Sequence, residues 1–120
     1  MRNQPQYNFI KNTTYALKGL KDILKNESSF KIELIICMAL IPFILFIEIS
    51  LVEKLLLFIT MMGVLISETI NSAIERVVDL VTLEHHNMAG RAKDVGSTIV
   101  FLSICLSVVV WSIIIFKNYL

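Results

Sequence analysis

The sequence lacks the residue patterns with which water-soluble proteins usually hold phosphates. Its four glycines, at positions 19, 63, 90 and 96 of 120 residues, are too scattered for a glycine-rich loop. No P-loop or soluble-kinase pattern is present. Prolines number two, and there are no internal repeats or low-complexity segments, so a single domain is expected. The two cysteines, Cys37 and Cys105, lie in separate apolar runs without metal-type or redox spacing. Both read as small apolar packing residues that say little about compartment. No Ser-His-Asp arrangement stands out. No secretory leader is read either, because the first apolar run begins only after Lys31 and no small-residue cleavage pattern follows it. A formal net charge of +1 offers no basic footprint, and no nucleic-acid partner is expected.

Apolar side chains are what the chain does have. They make up 56% of the residues, with a mean hydropathy of +0.74. That is too apolar for a soluble domain of this size, and it fits a small chain whose outer surface faces lipid. From Tyr7 to Lys25 a helical period puts Lys11, Lys18, Lys21 and Lys25 on one face. Phe9, Ile10, Leu17, Leu20, Ile23 and Leu24 take the other side. Such a helix beside membrane spans reads as lying in the interface, lysines toward anionic headgroups. Asn26-Glu27-Ser28-Ser29 then interrupts the pattern with cap and turn residues. Phe30 to Ile47 forms a short apolar run that Pro42 should kink. Glu48 to Lys54 reads as a polar connection and Thr82 to Gly90 as a polar loop. Thr98 to Phe116 is long enough to span a membrane by itself, with Trp111, Phe116 and Tyr119 as an aromatic belt at its far end. Arg2, the four lysines of the first helix, Lys31, Arg76, Arg91 and Lys93 flank one side; only Lys54 and Lys117 flank the other. The positive-inside rule then places the N-terminus and the 82–94 loop in the cytoplasm and the C-terminus outside.

The stretch that organises the chain is Glu68-Thr-Ile-Asn71-Ser-Ala-Ile-Glu75-Arg-Val-Val-Asp79, which continues the uncharged run Leu55 to Ser67 without a turn signal. At roughly 100° per residue, Glu68, Asn71, Glu75 and Asp79 fall within about 80° of one another. Two readings fit this line of polar groups. Ionisable groups inside a membrane are costly and point to function. An amphipathic helix end leaving the bilayer would instead show a solvated acidic face. The candidate polar set toward the cytoplasm is Glu27, Glu68, Asn71, Glu75, Asp79, Glu84, His86, Lys93 and Asp94. Carboxylates suit Mg²⁺ together with substrate phosphates, lysine suits a phosphate, and a carboxylate at the interface can take a hydroxyl proton. Those are the parts of phosphoryl transfer, although the same residue types also build structural ion networks. Glu84-His85-His86 lacks further spaced ligands for a transition metal.

These residues also resemble a known family. The Glu68–Asp79 stretch is similar to the signature of prokaryotic diacylglycerol kinases. The likeness extends to Glu84-His-His86, to Gly90-Arg-Ala-Lys93-Asp94-Val-Gly-Ser97, to Lys18-Gly-Leu-Lys21 and to Asn26-Glu27-Ser-Ser-Phe30-Lys-Ile-Glu33. It covers nearly the whole chain. Gly90-Arg91 ahead of Ala92-Lys93-Asp94 is nearer the diacylglycerol branch than the undecaprenol kinase branch. The resemblance implies an all-α integral membrane enzyme, a homotrimer of three-span subunits with sites shared between neighbours. On this chain it implies a surface helix and turn over 1–28 and spans over 30–48, 52–81 and 91–118. The implied reaction moves the γ-phosphoryl of MgATP to the hydroxyl of diacylglycerol in a bacterial cytoplasmic membrane. Carried over by position, Glu68 is the general base and Asn71 orients the reacting groups. Glu27 and Glu75 hold Mg²⁺. Tyr15, Asp79, Glu84, His85, His86, Lys93 and Asp94 contact ATP. Lys21, Phe30, Glu33, Lys54 and Ser97, with Glu68, line the lipid side. The chain departs from the family on its first helix, with Asn8 where an arginine is frequent and Ala16-Leu17 where Ser-Trp follows the tyrosine. Undecaprenol is the alternative acceptor. The alternative of another class is a non-catalytic membrane subunit with an acidic intramembrane stripe.

Overall fold

A computed structural model describes residues 6–120, so Arg2, counted above among the cations of one flank, lies outside the described residues. The described chain is helical, in four elements: α1 (Phe9–Asn26), α2 (Ser28–Phe46), α3 (Leu51–Val81) and α4 (Asn87–Tyr119). Asn8 starts α1, its side chain accepting from the Lys11 amide at 3.1 Å. The α1–α2 interruption shrinks to one residue. Glu27 is both the C-cap of α1 and the N-cap of α2, with extended dihedrals and no side-chain cap bond. Ser28 and Ser29 begin α2 instead of forming a turn. α2 runs through Pro42 to Phe46.

Two helix starts lie earlier than the sequence suggests. α3 begins inside the expected connection, because Ser50 and Glu53 form a reciprocal capping box. α4 begins inside the expected 82–90 loop. His86 Nδ1 accepts from the Met88 amide at 3.1 Å and so supplies the cap. Histidine is not among the usual cap residues, which hides this start from a sequence reading.

α3 and α4 pack along each other, α2 packs on α3, and α1 packs on α2. The buried core is thin. It joins Ile23 and Phe30 to Cys37, Ile44, Leu57, Met61, Leu65 and Ile114. Leu57 is fully buried, and its carbonyl accepts from Trp111 Nε1 at 3.2 Å while the Trp111 ring stacks on Phe43. Trp111 therefore directs its donor inward, contrary to its expected place in an interfacial belt. Cys105 also departs from expectation: it is exposed, whereas Cys37 is buried. α2 and α4 are long and apolar enough to cross a membrane, and only 6% of the apolar window of α4 is buried within the chain. Phe101, Leu102, Leu106, Val108 and Ile113 all face outward from it. An outward apolar surface of this extent needs lipid or other protein against it.

Candidate active site

The polar line on α3 is partly covered over its first part, and Asp79 at its end is exposed. Glu68, Asn71 and Glu75 are half-buried and line a cavity of about 280 Å³. Its opposite wall comes from the α1–α2 joint, with Ile23, Glu27, Ser29 and Phe30, and from α4, with Ser97 and Val100. Five other predicted residues line a second cavity of about 240 Å³ at the end of α3: Asp79, Glu84, His85, His86 and Lys93. Between the two lies a polar groove lined by Glu27, Glu75, Arg76 and Asp79. Glu27 and Glu75 border the first cavity and the groove, and Asp79 borders the groove and the second cavity. The three openings thus make one polar track along α3.

Packing sets the geometry inside the track. Asn71 Nδ2 donates to Glu75 Oε1 at 3.2 Å, one turn on. Asn71 Oδ1 is buried without a donor. It points at Gly96 of α4, where a Cβ would collide with it. Gly96 is therefore what lets α4 approach the polar face of α3. Glu27 Oε2 accepts from Ser72 Oγ at 2.6 Å and from an Arg76 terminal nitrogen at 3.0 Å. The other terminal nitrogen of Arg76 reaches Asp22 Oδ2 at 3.2 Å. The Asn26 amide and then the Arg76 guanidinium hold the Asp22 carboxyl below its usual range. Lys93 Nζ pairs with Asp79 at 2.7 Å, binding the start of α4 to the end of α3.

Glu68 is placed differently from these paired acids. Among the described residues, the charged neighbours that act on it are Glu33 and Glu27. Glu33 Oε2 is itself buried without a donor. Three acids facing one another repel unless a cation or a proton intervenes, and native chains keep such arrangements mainly where chemistry uses them.

The remaining candidates are not brought to the track. Tyr15 is half-buried on α1 and lines neither cavity; Lys21 and Asp94 are exposed and line neither. Lys54 lies at the opposite end of the helices, donating to the Leu45 carbonyl at 2.7 Å. Fourteen residues of helix, about 21 Å at 1.5 Å per residue, separate it from Glu68. Sequence reasoning missed Asp22, Ser72, Arg76 and Gly96. Of these only Gly96, a lone glycine near the start of an apolar helix, carried a signal.

Among the described residues no three His, Cys, Asp or Glu side chains converge to hold a metal by themselves. Glu27 and Glu75 border the same cavity, and their bonds to Ser72, Arg76 and Asn71 engage one oxygen of each. Two carboxylates with an oxygen to offer suit a Mg²⁺ ion that takes its other ligands from phosphates and water.

A model of the family described as prokaryotic diacylglycerol kinase matches residues 14–115. The diacylglycerol kinase of Haemophilus influenzae is 40% identical over 107 residues, covering 89% of this chain and 91% of that protein. The diacylglycerol kinase of Escherichia coli K12 is 34% identical over 110 residues, covering 92% and 90%. The undecaprenol kinase of Bacillus subtilis is 28% identical over 102 residues, covering 85% and 83%.

Proposed function

The chain belongs to the prokaryotic diacylglycerol kinase family, and from that premise we propose that it transfers the γ-phosphoryl of MgATP to the primary hydroxyl of diacylglycerol. The products are phosphatidic acid and ADP. Family membership makes the chain a lipid kinase and sets aside the non-catalytic reading. The observation that carries the proposal is the cavity in which Glu68 lies across from Glu27 and beside Asn71 and Glu75. Diacylglycerol is favoured over undecaprenol by the Gly90-Arg91 pair and by the higher identity to the named diacylglycerol kinases.

In this reading the lipid hydroxyl enters between Phe30 and Ser97 and reaches Glu68. The hydroxyl oxygen attacks the γ-phosphorus and the bond from that phosphorus to the ADP oxygen breaks. Glu68, whose charged neighbours are other acids, takes the hydroxyl proton. Asn71 orients the reacting groups from one turn away. Glu27 and Glu75 would hold Mg²⁺, which when bound offsets phosphate charge. The second cavity, with Lys93 and His86, receives the rest of the nucleotide. Three spans, with α3 as a membrane helix beside α2 and α4, fit its length and its uncharged run from Leu55 to Ser67. A homotrimer in a bacterial cytoplasmic membrane accounts for the outward apolar faces, with α1 on the cytoplasmic side by its lysines.

The test is an assay of the purified chain in mixed micelles with γ-labelled ATP, given diacylglycerol or undecaprenol. Label in phosphatidic acid, dependent on Mg²⁺, is the expected result. Label in undecaprenyl phosphate alone would move the acceptor to the runner-up, and label in neither lipid would remove the proposal.

A further inference from the structure

We propose that Arg76 is a positioning residue for Glu27, with Asp22 as its second anchor. Glu27 occupies the one-residue joint between α1 and α2, and no side-chain cap bond fixes it there. What fixes it comes from α3. Ser72 and Arg76, one turn apart, both donate to Oε2, at 2.6 and 3.0 Å. With Oε2 held twice, Oε1 is the oxygen Glu27 presents to a cation. Arg76 is held in turn, since its other terminal nitrogen reaches Asp22 on α1 at 3.2 Å. Asn26 Nδ2 donates to the second Asp22 oxygen at 2.6 Å and so fixes that anchor. Only a planar guanidinium can reach both carboxylates at once in this way. The fork therefore couples the seat of the surface helix to the direction of one carboxylate oxygen. A lysine at position 76 would keep the charge and reach one carboxylate or the other.

The inference rests on the reading of Glu27 as a cation ligand, and the experiment separates the two. Manganese(II) binding to the full chain in detergent is measured by electron paramagnetic resonance with a non-hydrolysable ATP analogue present. Arg76→Lys, which holds charge constant, is expected to weaken Mn²⁺ binding about tenfold, as loss of a partner that orients a ligand commonly does. Its helical content and elution volume should stay unchanged. Asp22→Asn should shift affinity less, in the same direction, and add nothing to Arg76→Lys. In a Glu27→Gln background, Arg76→Lys should have no further effect. Wild-type Mn²⁺ affinity in Arg76→Lys, with weakened affinity in Glu27→Gln, would overturn the inference and leave the ligand reading standing. Wild-type affinity in Glu27→Gln would remove both. An equal loss from Arg76→Lys with and without Glu27 would place its action elsewhere and also overturn the inference. Should Arg76→Lys not fold, the Asp22→Asn shift and its disappearance in Glu27→Gln decide alone.

Discussion

Glu53 and Glu68 stand on the same helix, one near the start of α3 and one past its middle, in opposite circumstances. Glu53 is filled with donors. Its Oε1 accepts from the Ser50 amide and hydroxyl at 3.2 and 2.9 Å, and its Oε2 from Lys117 and Asn118 at 3.3 and 2.9 Å. Around it, the Tyr119 hydroxyl donates to the Glu48 carbonyl and accepts from the Glu48 amide, while Lys54 closes on Leu45. These groups answer one another, and the result is a latch between the start of α3 and the end of α4. Glu68 meets other acids instead, beside a buried amide oxygen and a buried carboxylate oxygen that lack donors. Polar groups satisfied in this way hold helices together. Groups left without partners mark where the fold has kept capacity for a ligand.

The sharpest way to break this contrast is to neutralise each acid. Glu68→Gln cannot take a proton, and turnover is expected to fall about 10²- to 10⁴-fold with MgATP affinity little changed. Turnover together with nucleotide binding on the purified variant checks this. Lost nucleotide binding would recast Glu68 as a metal or phosphate ligand. Next in size, Gly96→Ala should push Asn71 aside and lower turnover about 10- to 10²-fold while the protein still folds, as small misplacements in active sites do. A wild-type rate in that variant would show that Asn71 needs no fixed seat. Glu53→Gln should leave turnover within a few-fold of wild type and lower the melting temperature by a few degrees. A catalytic loss larger than the thermal one would erase the distinction between the two ends. Smallest is the acid response of Asp22. Its folded pKa lies below its ordinary value near 3.8, so its tie to Arg76 contributes fully above that value and is lost as pH falls through the lower one. The protection of α1 amides, taken as exchange relative to the intrinsic rate at each pH, should then be unaltered from pH 7 to pH 5 and should fall only under stronger acid.

Legibility from sequence follows the same division. Helix periodicity and long apolar runs are local properties, so the lysine face of α1, the apolar stretch of α4 and the polar line on α3 can be read residue by residue. That this line would be covered by Glu27, Phe30 and Ser97 came from resemblance, not from spacing. The Asp22–Arg76–Glu27 bridge joins residues up to 54 positions apart. No local pattern announces it, because ion pairs between helices depend on how the helices dock. Lys54 shows the converse: its charge looked available in sequence, and a carbonyl at the end of α2 takes its ammonium. Trp111 looked interfacial for the same reason and turned inward to the Leu57 carbonyl.

α4 has 33 residues, about 50 Å of helix at 1.5 Å per residue. A bilayer's hydrocarbon is about 30 Å thick. Its apolar stretch ends near Thr98, so the segment that carries Lys93, Gly96 and Ser97 stands at or beyond the lipid edge. In the proposed reaction the two reactants then never share a solvent: the lipid would arrive by lateral diffusion in a plane, the nucleotide through bulk water. The rate of such a reaction answers to the surface fraction of acceptor, not to its amount per volume. Adding inert detergent at fixed lipid content should slow turnover, and adding micelles of unchanged composition should not.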